Sequence, residues 1–247
     1  MPKIFEVGGC VRDEILGVKS KDIDFTFVLD DLTESVETGF DKMNSFLEKE
    51  GFKIFLSTPE CFTIRAMFPE NSLNKGLVAD FVMARKEVGL IKGTRRQILE
   101  LGTLNDDLIR RDFTCNAIAK DIEGNIIDPF NGIDAIKSKI LDTPLDPKIT
   151  FLDDPLRMIR AIRFSITKEF SISDRVLEAM KDPELINRLK ETVSKERIRE
   201  ELTKAFSFDS LKTFRILAET DKSLPGFLDV IIPEDMTLIP SFKKIKK

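Results

Sequence analysis

Between Asp22 and Leu29 apolar and polar residues alternate, with Ile23, Phe25 and Phe27 interleaved with Asp22, Asp24 and Thr26. That two-residue period belongs to a strand with one buried face. Phe5-Glu6-Val7 reads as a shorter strand running into Gly8-Gly9, and a helix is predicted from about Val11 to Leu16. Thr33 to Gly51 is helical in composition, while Lys53-Ile54-Phe55-Leu56, Cys61 to Phe68 and Leu77 to Ala84 read as three further strands. From Asp112 onward the pattern turns helical. Phe113 to Ala119 is predicted to begin a helix, and Ile126 to Gly132 to form a strand end and turn. Leu152 to Thr167, Asp174 to Lys181 and Lys195 to Phe206 carry helical apolar spacing, with Ser194 placed to cap the last. The pattern predicts an α+β head over residues 1–140 and a helical neck and body over 141–247.

Composition narrows the chemistry. With 42% hydrophobic and 33% charged residues, the chain has the balance of a globular protein large enough to bury a core. Its net charge of −4 argues against coating nucleic acid by bulk electrostatics, while leaving room for a local basic groove. No stretch approaches the roughly 20 apolar residues needed to span a bilayer. The first residues also lack a signal-peptide apolar region, so a cytoplasmic protein with no membrane partner is expected. Cys10, Cys61 and Cys115 are far apart and odd in number, with neither metal spacing nor a disulfide framework. The sequence has no His, which removes the usual general base, the usual zinc ligand and the common serine triad. Carboxylates, cationic side chains, backbone dipoles or a hard metal ion must carry any chemistry. No internal repeat stands out, and Lys243, Lys244, Lys246 and Lys247 form a short tail read as solvated.

Asp22 and Asp24 lie two apart on a predicted strand, so both carboxylates emerge on one face. Paired carboxylates resist joint ionisation, and a divalent cation removes that penalty. Mg²⁺ typically takes one or two carboxylates and leaves its other positions to water and phosphate oxygens. Asp80, in Leu77-Val78-Ala79-Asp80-Phe81-Val82, shares the pattern and completes a candidate cluster. Such a trio suits two-metal phosphoryl transfer; strand-end aspartates meeting solvent or a lysine are the plain alternative. Upstream, Gly8-Gly9 separates a strand from a helix, with Arg12 one turn in. Gly9 permits close backbone approach, and the helix start offers N–H groups that, with Arg12, suit a phosphate. A tight turn with Arg12 and Asp13 as surface charges explains the same residues.

At this point a family resemblance emerges. Gly8-Gly9-Cys10-Val11-Arg12-Asp13, Leu16-Gly17 and Asp22-Ile23-Asp24-Phe25 together resemble the opening signature of the class II CCA-adding enzyme and bacterial poly(A) polymerase family. Three more segments resemble that family in order: Arg110 to Ala119, Asp153 to Phe164, and Ser194 to Leu202. The similarity runs from about residue 5 to 205, with a fainter echo at Ile231-Ile232-Pro233-Glu234. It implies a nucleotidyltransferase-type head with a small mixed sheet, then a helical neck and short body. It also implies Mg²⁺ (or Mn²⁺) as cofactor, ATP and CTP as substrates, and the 3′ end of tRNA or another RNA as acceptor. Poly(A) addition to other RNAs and a non-catalytic RNA- or nucleotide-binding relative are the alternatives.

The resemblance assigns the incoming base to Asp154 and Arg157, which at three apart would share one helical face. Asp accepts from the exocyclic amino group of C or A, whereas U and G present a carbonyl there. Arg160 and Arg163 are implied at the same site. Geometry opposes Arg163, since each three-residue step drifts about 60° on a helix. An amphipathic helix with Leu156, Ile159 and Ile162 buried and its arginines solvated is the alternative. Arg111 is implied to contact phosphate or ribose; Asp112 is expected to cap the next helix or to partner an arginine, and Asn116 to be architectural. Ile198, Leu202 and Phe206 form a predicted buried stripe, while Arg197 and Arg199 either frame the pocket or are solvated. Asp153 stands where the family usually has Glu. Typical members are also longer, so either the head, neck and a minimal body hold the RNA or a second copy or a partner protein supplies the remaining RNA-holding surface.

Overall fold

The computed structural model describes residues 3–20, 22–90 and 97–232; Pro233, Glu234 and the tail lysines lie outside the described residues. Two compact units form, Met1–Asp146 and Pro147–Lys247.

The first unit runs β1 (Lys3–Val7), α1 (Gly9–Ile15), β2 (Ile23–Val28), α2 (Val36–Lys49), β3 (Lys53–Thr58), β4 (Thr63–Met67) and β5 (Val78–Met83). It continues with β6 (Arg85–Leu90), β7 (Gln97–Leu101), α3 (Leu104–Ile109), β8 (Ala119–Lys120), β9 (Ile126–Ile127) and α4 (Gly132–Ser138). Seven strands form one mixed sheet in the order β3-β4-β5-β2-β1-β8-β9, in which β2 and β5 are parallel. β6 and β7 pair separately. Alternation along β2, β4 and β5 sends Phe25, Phe27, Ile64, Ala66, Ala79, Phe81 and Met83 to one face, where Phe40, Met43 and Leu47 of α2 cover them. Phe25 stacks on Phe81 with ring centroids 4.9 Å apart. Each of the Phe, Ile, Leu and Met side chains contributes roughly 1.5–3 kcal/mol on burial. One face therefore has one allowed register, and the same alternation commits Asp24, Thr26, Arg65 and Asp80 to the other.

The second unit is helical: α5 (Pro147–Asp153), α6 (Leu156–Thr167), α7 (Asp174–Met180), α8 (Pro183–Thr192), α9 (Lys195–Phe208), α10 (Ser210–Ser223) and α11 (Phe227–Ile231). Ser173, Asp182, Ser194 and Asp209 each cap a following helix through the side chain. Apolar residues of α6, including Leu156, Ile159 and Ile162, are buried, as are Ile198 and Leu202 of α9. The third buried member of that stripe is Ala205; Phe206 is half-buried and meets Phe214 edge-on. No helix among the described residues is long and apolar enough to cross a membrane.

Two sequence expectations are corrected. Phe113 to Ala119 is not a helix: Phe113 is extended, Thr114–Asn116 form a 3₁₀ turn, and Ala119 opens β8. All seven residues are buried, so the segment has no solvated face to give it a helical period. Nor is Leu152 to Thr167 continuous. α5 ends at Asp153 and α6 starts at Leu156, because Pro155 lacks an N–H and disfavours helical geometry at Asp154. β6, β7, α3, α4, α8, α10 and α11 were not anticipated at all.

Candidate active site

A row of charged residues crosses the face of the sheet opposite α2. In the parallel β2–β5 register Asp24 lies opposite Asp80, and in the antiparallel β4–β5 register Arg65 lies opposite Asp80. Arg65 grips Asp80 as a fork, Nε to Oδ1 and Nη2 to Oδ2, both at 2.6 Å. Asp22, expected on the strand, instead immediately precedes β2, one residue outside the observed strand. Asp24 is half-buried, and among the described residues its carboxylate has no hydrogen-bond or ion-pair partner. Its pKa is raised above the ordinary carboxylate value, chiefly by burial; Arg111 opposes that rise, the charges of Asp80 and Asp22 add to it, and Arg65 opposes it more weakly. A carboxylate in that state gains most from a nearby cation. Among the described residues no three acidic or thiol side chains are gathered to hold a metal ion. Asp22 and Asp24 alone still suit an ion that takes one or two carboxylates and otherwise keeps water and phosphate oxygens.

Behind this row lies a residue that sequence reasoning missed. Asp107 on α3 is almost fully buried, and it binds Arg110 (2.9 Å), Arg111 (2.8 Å) and the Thr26 hydroxyl (2.8 Å). Burial opposes its ionisation, yet Arg111, Arg110 and the hydrogen bonds hold its pKa down to about 2. Arg111 is thereby fixed close enough to Asp24 to influence its titration. The local signal was present: Thr103 and Asp106 form a capping box that starts α3, and Asp107 precedes Arg111 by one helical turn.

Gly8, rather than Gly9, is the position that demands glycine. It has φ +77° and ψ −129°, and a Cβ there would lie 2.6 Å from Arg111 Nη1. Gly9 has no such conflict, since its nearest contact would be Arg12 Nη2 at 3.5 Å. Cys10 Sγ donates to the carbonyls of Val7 (3.2 Å) and Asp24 (3.9 Å), tying α1 to the strand that bears the aspartates. Arg12 is buried. It grips Asp13 through Nε (2.9 Å) and Nη2 (2.8 Å), and its Nη1 donates to Asn116, whose amide donates to Asp112 at 2.8 Å. Neither Arg12 nor Asp13 is therefore a simple surface charge. Asp112 accepts from the N–H of Phe113 at the head of the 3₁₀ turn, not of a helix.

The second unit holds the remaining candidates. Asp154 lies in the break between α5 and α6, so it does not share a continuous helical face with Arg157. Its carboxylate accepts from Arg197 Nη2 at 2.8 Å, from Nη1 at 3.4 Å and from the N–H of Leu156 at 3.2 Å. Arg157 pairs with Asp153 (2.9 Å) and donates to the Thr150 carbonyl (3.1 Å). Arg160 and Arg163 meet around Glu201 of α9, which is 4% exposed and also binds Lys204. Arg163 further lies over the Phe164 ring, 4.4 Å from its centroid. Arg160 and Arg163 therefore form a polar seam between α6 and α9, whereas Arg157 of the same helix turns to α5. Glu201 went unnoticed because it is 38 residues from Arg163.

Three comparisons bear on this geometry. The model of the poly(A) polymerase head domain matches residues 4–142. The tRNA nucleotidyltransferase cca2 of Schizosaccharomyces pombe is 32% identical over 97% of this chain and 54% of its own length. The CCA-adding enzyme of Lactobacillus helveticus is 31% identical over 90% and 51% respectively. Among solved structures, the Bacillus stearothermophilus CCA-adding enzyme in complex with CTP superposes with a TM-score of 0.68 at 29% identity, over 92% of this chain and 50% of that one. A tRNA nucleotidyltransferase complexed with a primer tRNA and an incoming ATP analog gives 0.69 at 26% identity, over 96% and 61%. The chain spans about half the length of the curated relatives it matches.

Proposed function

Because the chain belongs to the poly(A) polymerase head-domain family, we propose that it transfers CMP and AMP from CTP and ATP to the 3′ end of tRNA. The observation that carries this reading is the Asp24–Asp80 register pair with Arg111 beside it, in a chain whose relatives include CCA-adding enzymes. In the reaction, a 3′-hydroxyl oxygen bonds to the α-phosphorus as the bond to pyrophosphate breaks.

Asp22 and Asp24 would hold a divalent cation, Mg²⁺ or Mn²⁺, which when bound neutralises charge on the triphosphate. Arg111, pre-set by Asp107, presents its guanidinium to phosphate without having to be ordered on binding. Gly8 gives that guanidinium room. Asp154 offers an acceptor to the amino group of C or A, and Arg157 donates to the adjoining ring acceptor. Arg160 supports the same helix face. Residues 1–140 would act as the transfer head and 141–247 as the base-reading neck and body.

The test is single-nucleotide incorporation with Mg²⁺, offering each of the four nucleoside triphosphates to tRNAs ending before CCA, after C and after CC. Addition of C and then A, with U and G rejected, is expected. A long A ladder on any RNA would move the assignment to poly(A) synthesis. No incorporation with either Mg²⁺ or Mn²⁺ would leave a non-catalytic binding module. Asp22→Ala and Asp24→Ala should each abolish addition while RNA binding persists.

A further inference from the structure

Two arginines share one buried carboxylate. Asp107 gives Oδ1 to Arg110 Nη2 at 2.9 Å and Oδ2 to Arg111 Nη2 at 2.8 Å. Among the described residues, that bond is the whole hydrogen bonding of the Arg111 side chain, whose Nε is buried without a partner. The terminal torsion of an aspartate is soft, and a guanidinium favours holding both oxygens of a carboxylate at once. Nothing in the carboxylate itself therefore decides how it is divided. A third group does. Thr26 Oγ1 donates to Oδ2 at 2.8 Å, the same oxygen that holds Arg111. Thr26 is 1% exposed and lies on β2 two residues beyond Asp24, hence on the same face of the strand. Valine would fill that volume and suits a strand equally well, whereas a hydroxyl so deeply buried is costly unless it is bonded. Among the described residues the bond to Asp107 is the only one that this hydroxyl makes.

We propose that Thr26 is a positioning residue for triphosphate binding: its hydroxyl locks the Asp107 carboxylate, so that Arg111 keeps its anchor instead of losing it to a fork between Asp107 and Arg110. This rests on the phosphate contact proposed above for Arg111. Thr26 touches no substrate and acts through Asp107. Because Asp24 and Thr26 share one strand, the proposed cation ligand and the anchor of the phosphate-binding arginine are held in a fixed relation.

Calorimetric binding of CTP in Mg²⁺, with RNA left out, tests the idea without any turnover. Thr26→Val should weaken binding about 5–10-fold, the factor expected if Arg111 is in place for only a tenth to a fifth of the time. Thr26→Ser keeps the donor and should bind as the native chain does. Arg111→Met should also weaken binding, and Thr26→Val added to it should cause no further loss, because the hydroxyl acts only through that arginine. Thr26→Ala replaces Thr26→Val in the same comparison if the valine variant does not fold. Native affinity in Thr26→Val, weak binding in Thr26→Ser, or a full further loss in the double variant would each overturn the proposal. In those cases a weakened Arg111→Met leaves the phosphate contact standing. Native affinity in Arg111→Met would overturn that contact as well, and the role of Thr26 with it.

Discussion

Asp107→Asn removes one buried negative charge from beneath two arginines. In the folded chain the Asp107 pKa is held at about 2, against roughly 3.9 for a free aspartate. A gap of nearly two pKa units, at about 1.4 kcal/mol each, corresponds to ~2–3 kcal/mol of stability. Because the folded-state value is the lower one, that contribution is complete above about pH 4 and is lost as pH falls towards 2. Asparagine keeps the shape but turns a donor towards Arg110 or Arg111. On a chain of this length the melting temperature should fall by roughly 5–10 °C at neutral pH. Urea unfolding of both proteins between pH 6 and pH 3 provides the assay. The native-minus-variant difference should shrink at the acid end, where Asp107 of the unfolded chain takes up a proton while that of the folded chain is still ionised. A difference that stays constant over that range refutes the reasoning, since the lost contact would then not depend on the charge.

Gly8→Ala should cost roughly 1–3 kcal/mol of stability from backbone strain alone, and it should weaken triphosphate binding by displacing Arg111. Gly9→Ala should stay within about 0.5 kcal/mol of the native chain, and equal losses at the two positions in thermal unfolding would contradict the geometry. Asp154→Ala and Arg157→Ala should relax base selection by an amount on the order of 10–100-fold, measured as ratios of kcat/KM for CTP and ATP against UTP and GTP. Unchanged ratios would remove these residues from base reading. Glu201→Gln should destabilise the helical unit by about 3–5 kcal/mol, because Arg163 and Arg160 would lose their buried counter-charge. Adding Arg163→Met to Glu201→Gln should cost less than the two single changes summed; strict additivity would show that the pair is uncoupled.

Local patterning made the strands β1 to β5 and helices α1, α2, α6, α7 and α9 legible, because each buries one face and the period of burial is written into the chain. It failed at Phe113 to Ala119, where burial on every side erases the period. It failed again at Asp154-Pro155, where the backbone chemistry of one proline overrode a continuous helical pattern. For the site, alternation placed Asp24 and Asp80 on the polar faces of their strands, and the spacing of the motifs drew attention to Arg111. Asp107 could have been read from its helical spacing to Arg111. Arg65 could not, because nothing near Thr63–Met67 announces a partner 15 residues away.

The sequence by itself determined which residues face a core and which do not, since that depends only on side-chain period and the transfer of apolar surface from water. Only the tertiary structure decided who those outward residues meet. Asp80 beside Asp24 and Arg65 follows from β2 and β5 being parallel neighbours and β4 and β5 antiparallel ones. Asp154 on Arg197 and Arg163 on Glu201 follow from helix packing across 43 and 38 residues of chain. Strand order and helix packing are collective properties of the whole fold, with no local signature in any one segment. The charge balance at Asp24, on which the proposed chemistry depends, is set by those neighbours.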